Sequence, residues 1–339
     1  MKAIRIHRHG GPEVIQIDDI PLPEPKSDEI LIRIRAAALN HLDLWVRKGI
    51  PGLSLPLIMG SDGAGIIEAM GDDVSGTGQF AIGDEVFLVP FRTTRSEKSS
   101  EELSDSYKIL GEQIDGSQAE WVSAPADFVM HKPKNLTIEE TAAFPLAFMT
   151  AYHMLVKKTQ LEHGQTILIW GASSGVGSAA IQIAKKYHTT VITTAGTPEK
   201  SELAKQLGAD YIINYNGENV SEQVRLITNN RGVDVVFEHV GEKSWSHSLR
   251  SLAKGGKIIV CGSTTGPKVN LDLRHIYIKH QQIIGSTMGN RQDLSELVSL
   301  IEKEKIKPVI GSILAFSETQ KAHQILENNE QFGKIVIKF

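Results

Sequence analysis

Short alternations of apolar and polar residues fill the first third of the chain. IRIHRHG, EVIQIDD, EILIRIRAAAL and GAGIIEAM each follow the two-residue period of a strand with one face on a core, and Gly or Pro divides them. The prolines of PLPEP at 21–25 mark an extended loop. Between Phe91 and Gly116 no period survives in the polar run RTTRSEKSSEELSDSYK, which reads as a long surface excursion, mobile or ordered by a partner subunit.

After Ala142 the period changes. TILIWG (166–171) and TVITTAG (190–196) are continuous apolar runs, the pattern of parallel strands covered on both faces. Between them VGSAAIQIAKKY carries Val176, Ala179, Ala180, Ile183 and Ala184 at helical spacing, which completes one βαβ unit. PEKSELAKQLG predicts a second helix ending at Gly208, where a glycine favours the C-terminal cap. YIINY, VDVVFEHVG and GKIIVCGST predict further buried strands. LSELVSLIEKEKI has the stripe of an amphipathic helix, and the closing GKIVIKF alternates as a strand that rejoins the β-rich start. The fold class is α/β, a doubly wound parallel-sheet domain beside a mostly β domain.

Composition narrows the chemistry. Among 339 residues, 36 basic and 40 acidic side chains leave a net charge of -4, so no broad cationic field is offered to nucleic acid or to an anionic membrane. No apolar run is long enough to span a bilayer. Cys261 is the sole cysteine, so no internal disulfide and no thiolate cluster can form, which fits a reducing cytoplasm.

The stretch ILIWGASSGVGSAAIQIAK joins a strand, a small-residue turn and a helix. Ser174, Gly175, Val176 and Gly177 open that helix, whose unpaired N–H groups and positive dipole end suit a pyrophosphate; a plain tight turn is the alternative, since the strict G-x-G-x-x-G spacing is absent. About 20 residues on, an NAD site usually carries Asp or Glu for the ribose hydroxyls. Here Thr194, Ala195, Gly196 and Thr197 leave neutral space, and Lys200 and Tyr215 can donate to a 2′-phosphate, which points to NADP(H). Lys200 can equally be a solvated charge.

ALNHLDLWVRKG, PLIMGSDGAGIIEAMGDDV, GDEV, ASSGVGSAAIQIAK, QLGADYIINY and FGKIVIKF together resemble the medium-chain dehydrogenase/reductase superfamily along essentially the whole chain. The resemblance implies a GroES-like catalytic domain over 1–128 and 288–339 and a Rossmann NADP-binding domain over 129–287. In the zinc alcohol dehydrogenases of this superfamily a ligand cysteine stands where Asn40 is, a relay Ser or Thr where Leu42 is, and G-H-E where Gly60-Ser61-Asp62 is. The lobe that holds a structural zinc corresponds to Phe91–Gly111, which contains no cysteine. The resemblance therefore implies no structural zinc and no catalytic zinc. A residual metal reading gathers His41, Asp62 and His153.

The chain is also similar to the zinc-free quinone oxidoreductases, which implies that Asn40 faces the nicotinamide pocket and orients a substrate carbonyl. His41 and Asp43 are read as tying a helix start to the adjacent loop, with acid–base catalysis the alternative for both. The same resemblance implies that Thr150 and Met149 lie beside the nicotinamide and that His239 and Val240 line the cofactor cleft. Cys261, Gly262 and Ser263 follow the next strand, and Ser286, Thr287 and Met288 approach the carboxamide. Core packing is the alternative for Met149 and Val240. Lys334 closes over the adenosine end or faces solvent from its strand. The expected activity is zinc-independent, NADPH-dependent reduction of quinones or α,β-unsaturated carbonyls, with a small-molecule electrophile as substrate. An alcohol dehydrogenase with an unusual or absent metal site and an NADPH-binding sensor or scaffold are the alternatives. A homodimer is expected, because the edge strand around HQQIIGST otherwise stays unpaired.

Overall fold

A computed structural model describes residues 1–95 and 100–339. The chain divides into two compact units, residues 1–147 with 290–339, and residues 148–289.

The second unit is a six-stranded parallel sheet with strands β1 (Thr166–Ile169), β2 (Thr190–Ala195), β3 (Tyr211–Asn214), β4 (Val233–Glu238), β5 (Leu252–Val260) and β6 (Gln282–Gly285). They lie in the order β3-β2-β1-β4-β5-β6, and every neighbouring pair is parallel. The chain reverses direction of travel across the sheet between β1 and β4, which is where ligands bind in doubly wound folds. Helices α1 (Gly175–Lys186) and α2 (Pro198–Gln206) make the first two crossovers. The continuous apolar runs have the reason expected for them: Ile167, Leu168, Ile169, Val191, Ile192, Val235, Val236 and Phe237 are all buried. Gly208 follows α2 with φ +101°, a conformation open to glycine at low cost.

In the first unit, strands Glu29–Ala38 and Asp62–Met70 form the centre of a seven-stranded sheet, and a three-stranded sheet joins Ile15–Asp19, Lys2–Ile6 and Leu57–Ile58. The closing strand Lys334–Lys338 pairs antiparallel with Glu29–Ala38, through Val336 opposite Ala38, as its alternation predicts. It lies between that strand and Ile310–Ala315, so four of its five residues are buried.

The compact units divide at 147/148 and 289/290, whereas the domains expected from the sequence divide at 128/129 and 287/288. Val129–His131 pairs with Glu85–Leu88, and the helix Ile138–Ala143 packs on the two central strands of the first sheet. Strand pairing and a buried helix face thus hold residues 129–147 to the first unit. The sequence signal, the switch from strand to helix period, falls inside that stretch rather than at its end.

Candidate functional site

At the carboxyl end of β1 the chain turns through Gly171 at φ +63° and enters α1. Ser174 caps that helix: its hydroxyl accepts from the Gly177 N–H at 2.8 Å and donates to the Gly171 carbonyl at 2.9 Å. A Cβ on Gly177 would sit 2.2 Å from the Gly171 oxygen, so this glycine lets the helix close on its own turn. Gly175 and Val176 remain half-buried at the positive end of a 12-residue helix, a place suited to an anionic group.

The turn after β4 completes this rim. His239 donates from Nε2 to the Trp170 carbonyl at 2.8 Å and approaches the Ser174 hydroxyl at 3.4 Å. Burial lowers its pKa, so the ring stands neutral beside the phosphate turn. Beneath it lies a residue to which the motif reading gave no role, Glu238. Its buried carboxylate accepts from the Val240 and Gly241 N–H groups and from the hydroxyls of Ser244 and Ser248, and Ser248 in turn accepts from the Trp170 indole at 2.8 Å. Its only sequence signal is an acid closing an apolar run. Cys261 donates its N–H to the Glu238 carbonyl, and burial pushes its thiol up to about 12, which removes it from nucleophilic chemistry at neutral pH. Gly262 and Ser263 continue into a loop whose Thr264 and Thr265 donate to the carbonyls of His239 and Val240. Ser286 donates its N–H to Val260, and Met288, two residues on, adopts φ +48° while nearly buried.

At the end of β2, Ala195 is buried and Thr197 caps α2 by accepting from the Lys200 N–H. A Cβ on Gly196 would meet the Tyr215 hydroxyl at 2.4 Å, and Asn216 donates to the Gly196 carbonyl at 2.9 Å. The small residues, Lys200 and Tyr215 therefore gather at one strand end. Glu199 is the carboxylate of this turn, and its own N–H and the Thr197 hydroxyl hold its pKa below the usual range. Met149 and Thr150 are both buried on the helix Pro145–Tyr152. Thr150 belongs to the second unit and Asn40 to the first.

In the first unit, Asn40 precedes the helix His41–Lys48, and the Asp43 carboxylate accepts from the Asn40 N–H at 2.7 Å. Asp43 thus ties the helix start, as expected of it, and burial pushes its pKa up to about 6. The Asn40 side chain points elsewhere. Its Nδ2 donates to Asp62 Oδ2 at 2.9 Å, and its Oδ1 accepts from the Lys334 ammonium. Lys334 also donates to Asp62 Oδ2 at 3.0 Å, and Asp62 Oδ1 accepts from the Leu146 N–H at 2.9 Å. Only 4% of the Lys334 side chain is exposed, which corrects the solvent-facing alternative for this residue. Its ammonium is committed to Asp62 and Asn40 rather than to open space where a cofactor phosphate would reach it.

These donors do not fit a zinc ion. Zinc takes thiolate, imidazole or carboxylate in a tetrahedron. Asn40 supplies an amide already bonded at both ends, Ser61 spends its hydroxyl on the Leu110 carbonyl at 2.8 Å, and both oxygens of Asp62 are engaged, one of them by a cation. Among the described residues no three His, Cys, Asp or Glu side chains converge on a possible metal position, so the trio His41, Asp62 and His153 is not assembled.

One unit is thus a doubly wound parallel sheet with a glycine-rich strand-to-helix turn, and the other a β-rich unit carrying a buried polar cluster. Residues 26–134 match the model of the alcohol dehydrogenase GroES-like domain, and residues 175–303 that of the zinc-binding dehydrogenases. The NAD-dependent alcohol dehydrogenase of Sulfurisphaera tokodaii is 33% identical over 352 residues, covering 99% of each chain. The human quinone oxidoreductase is 31% identical, covering 99% of this chain and 97% of its own. A crystal structure of an NAD-dependent alcohol dehydrogenase superposes with a TM-score of 0.95 at 40% identity, covering 100% of both chains. The chain belongs to the medium-chain dehydrogenase/reductase superfamily and is an oxidoreductase of that family. Among the described residues no helix is long and apolar enough to cross a membrane.

Proposed function

We propose that the protein is a zinc-independent, NADPH-dependent reductase of quinones or α,β-unsaturated carbonyl compounds. The observation that carries this reading is the Asn40–Asp62–Lys334 cluster, whose carboxylate is already neutralised by an ammonium. Alcohol oxidation needs strong stabilisation of an alkoxide, which a Lewis acid supplies. An enone or quinone makes a smaller demand, because hydrogen bonds can meet the charge that develops on its oxygen.

NADPH held at the Ser174–Gly177 turn would supply a hydride to the substrate. The β-carbon of an enone accepts it, the C=C electron pair moves to the carbonyl oxygen, and a proton from water completes the α-carbon. Asn40 orients that carbonyl: its Nδ2 carries two hydrogens, and Asp62 takes one. Ser174, Gly175, Val176 and Gly177 would hold the pyrophosphate of such a cofactor, and Lys200 and Tyr215 its 2′-phosphate. The preference for NADPH rests on the neutral Ala195-Gly196-Thr197 strand end, against the NAD-dependent names of two of the relatives above.

Purified protein mixed with NADPH and 1,2-naphthoquinone or trans-2-hexenal is expected to oxidise the cofactor, with the rate unchanged by EDTA. Lys200→Ala should raise the KM for NADPH about tenfold, one charge-assisted hydrogen bond's worth, and leave that for NADH unchanged. Turnover of alcohols with NAD that a chelator abolishes would instead establish the metal-dependent alcohol dehydrogenase favoured by the names of those relatives. Tight NADPH binding without turnover on any electrophile would establish a sensor.

A further inference from the structure

Resting on the reading of Asn40 as the group that meets the substrate carbonyl, we propose that Lys334 is a positioning residue that fixes which end of the Asn40 amide faces which partner. An asparagine side chain can flip with little change in shape, and the flip exchanges a donor for an acceptor. Only a carbonyl oxygen can accept from an ammonium, so Lys334 holds Oδ1 towards itself. Asp62 is an acceptor, and it holds Nδ2 at 2.9 Å from the other end. The two charges are themselves paired at 3.0 Å, and the Leu146 N–H at 2.9 Å fixes the carboxylate. Reversal of the amide would set its NH₂ against the ammonium and its oxygen against the carboxylate, two like-signed contacts in a site where Asn40 and Lys334 are 8% and 4% exposed and Asp62 is fully buried. With the amide locked, the second Nδ2 hydrogen keeps one direction. A substrate oxygen then meets a donor that needs no rearrangement as charge develops.

This clamp is assembled from distant parts of the chain. Asn40 precedes a helix, Asp62 opens a central strand, and Lys334 opens the last strand. Asp43 is a further titratable group at the cluster, where it bonds the Asn40 backbone rather than the side chain.

The test is a double-mutant cycle read in kcat and KM with 1,2-naphthoquinone and NADPH. Lys334→Met alone leaves Asp62 buried without its cation, so Lys334→Met/Asp62→Asn, which removes both charges, is measured beside it. Both variants are expected to lower kcat at least tenfold while the KM for NADPH stays within twofold. In an Asn40→Ala background, itself slow, the same substitutions are expected to cost nothing further. Lys334→Arg, which keeps the cation, should restore part of the lost kcat. If Lys334→Met/Asp62→Asn retains full kcat while Asn40→Ala is slow, or if the losses multiply independently, the clamp is refuted and the reading of Asn40 stands. If Asn40→Ala turns over normally, that reading falls and the clamp falls with it.

Discussion

Asp43 carries the clearest consequence at the scale of one residue. Its pKa of about 6, raised from 3.8 chiefly by burial, means that the folded protein binds a proton there that the unfolded chain releases near pH 4. The stability linked to that proton is fully present below pH 4 and is lost as pH rises through 6. Relative to Asp43→Asn, whose amide oxygen can still accept from the Asn40 N–H, the native protein should therefore lose about 2 kcal/mol between pH 4 and pH 7. Urea denaturation of both proteins across that range measures it, and parallel curves would contradict the shift. The role of Asp43 as a helix tie was legible, because an acid three residues after a polar N-terminal residue is a local pattern. The partner of Asn40 was not. Lys334 lies 294 residues away, and its two-residue alternation suggests a surface position that the covering of both sheet faces cancels.

The same limit governs whole elements. The strands and helices around the phosphate turn were readable because period, turn and cap all lie within a few residues of one another. The run after Phe91 has no period, and its charges read as solvated. Within its described residues, however, Glu101 is fully buried and accepts from the Arg291 backbone N–H at 2.8 Å and from its Nε at 2.6 Å. Arg291 also reaches the Asp127 carboxylate at 3.2 Å and lies over the Phe128 ring at 4.5 Å. Phe91 stacks on Tyr107 at 4.3 Å within the same lobe. An ion pair between segments 190 residues apart thus anchors this excursion, and nothing local in the sequence announces it. Charge alone does not predict exposure here, because a buried charge is tolerated once its partner arrives with it. Arg291→Met leaves Glu101 buried without its cation and should cost about 3–5 kcal/mol, seen as a lower urea midpoint, whereas Glu101→Gln/Arg291→Met should recover much of the loss. Equal destabilisation by the single and double variants would show that the pair does not anchor the lobe.

At the scale of the whole molecule, the parallel sheet ends on one side at β6, whose outer backbone groups pair with no strand among the described residues. A bare edge offers a row of donors and acceptors to another chain, and proteins that stay monomeric protect such edges with charge, proline or a cover. The strand Gln282–Gly285 reads QIIG and has none of these residues. The segment leading into it exposes Leu273, Tyr277 and Ile278, with Leu273 at 66% and Tyr277 at 65%, and Ile283 on the strand is exposed as well. Apolar side chains clustered along an unpaired edge suit a partner that brings the same edge and the same side chains, since a two-fold pairing satisfies both copies at once. We propose that a second copy of the chain is that partner, joined antiparallel through β6. Light scattering on the native protein at micromolar concentration should then give twice the chain mass. Ile283→Lys/Tyr277→Glu, which puts charge on the edge without touching a buried residue, should give one chain mass with the circular dichroism unchanged. A native protein of single-chain mass would leave the edge without the partner proposed for it, and a variant that stays at twice the mass would move the contact to another surface.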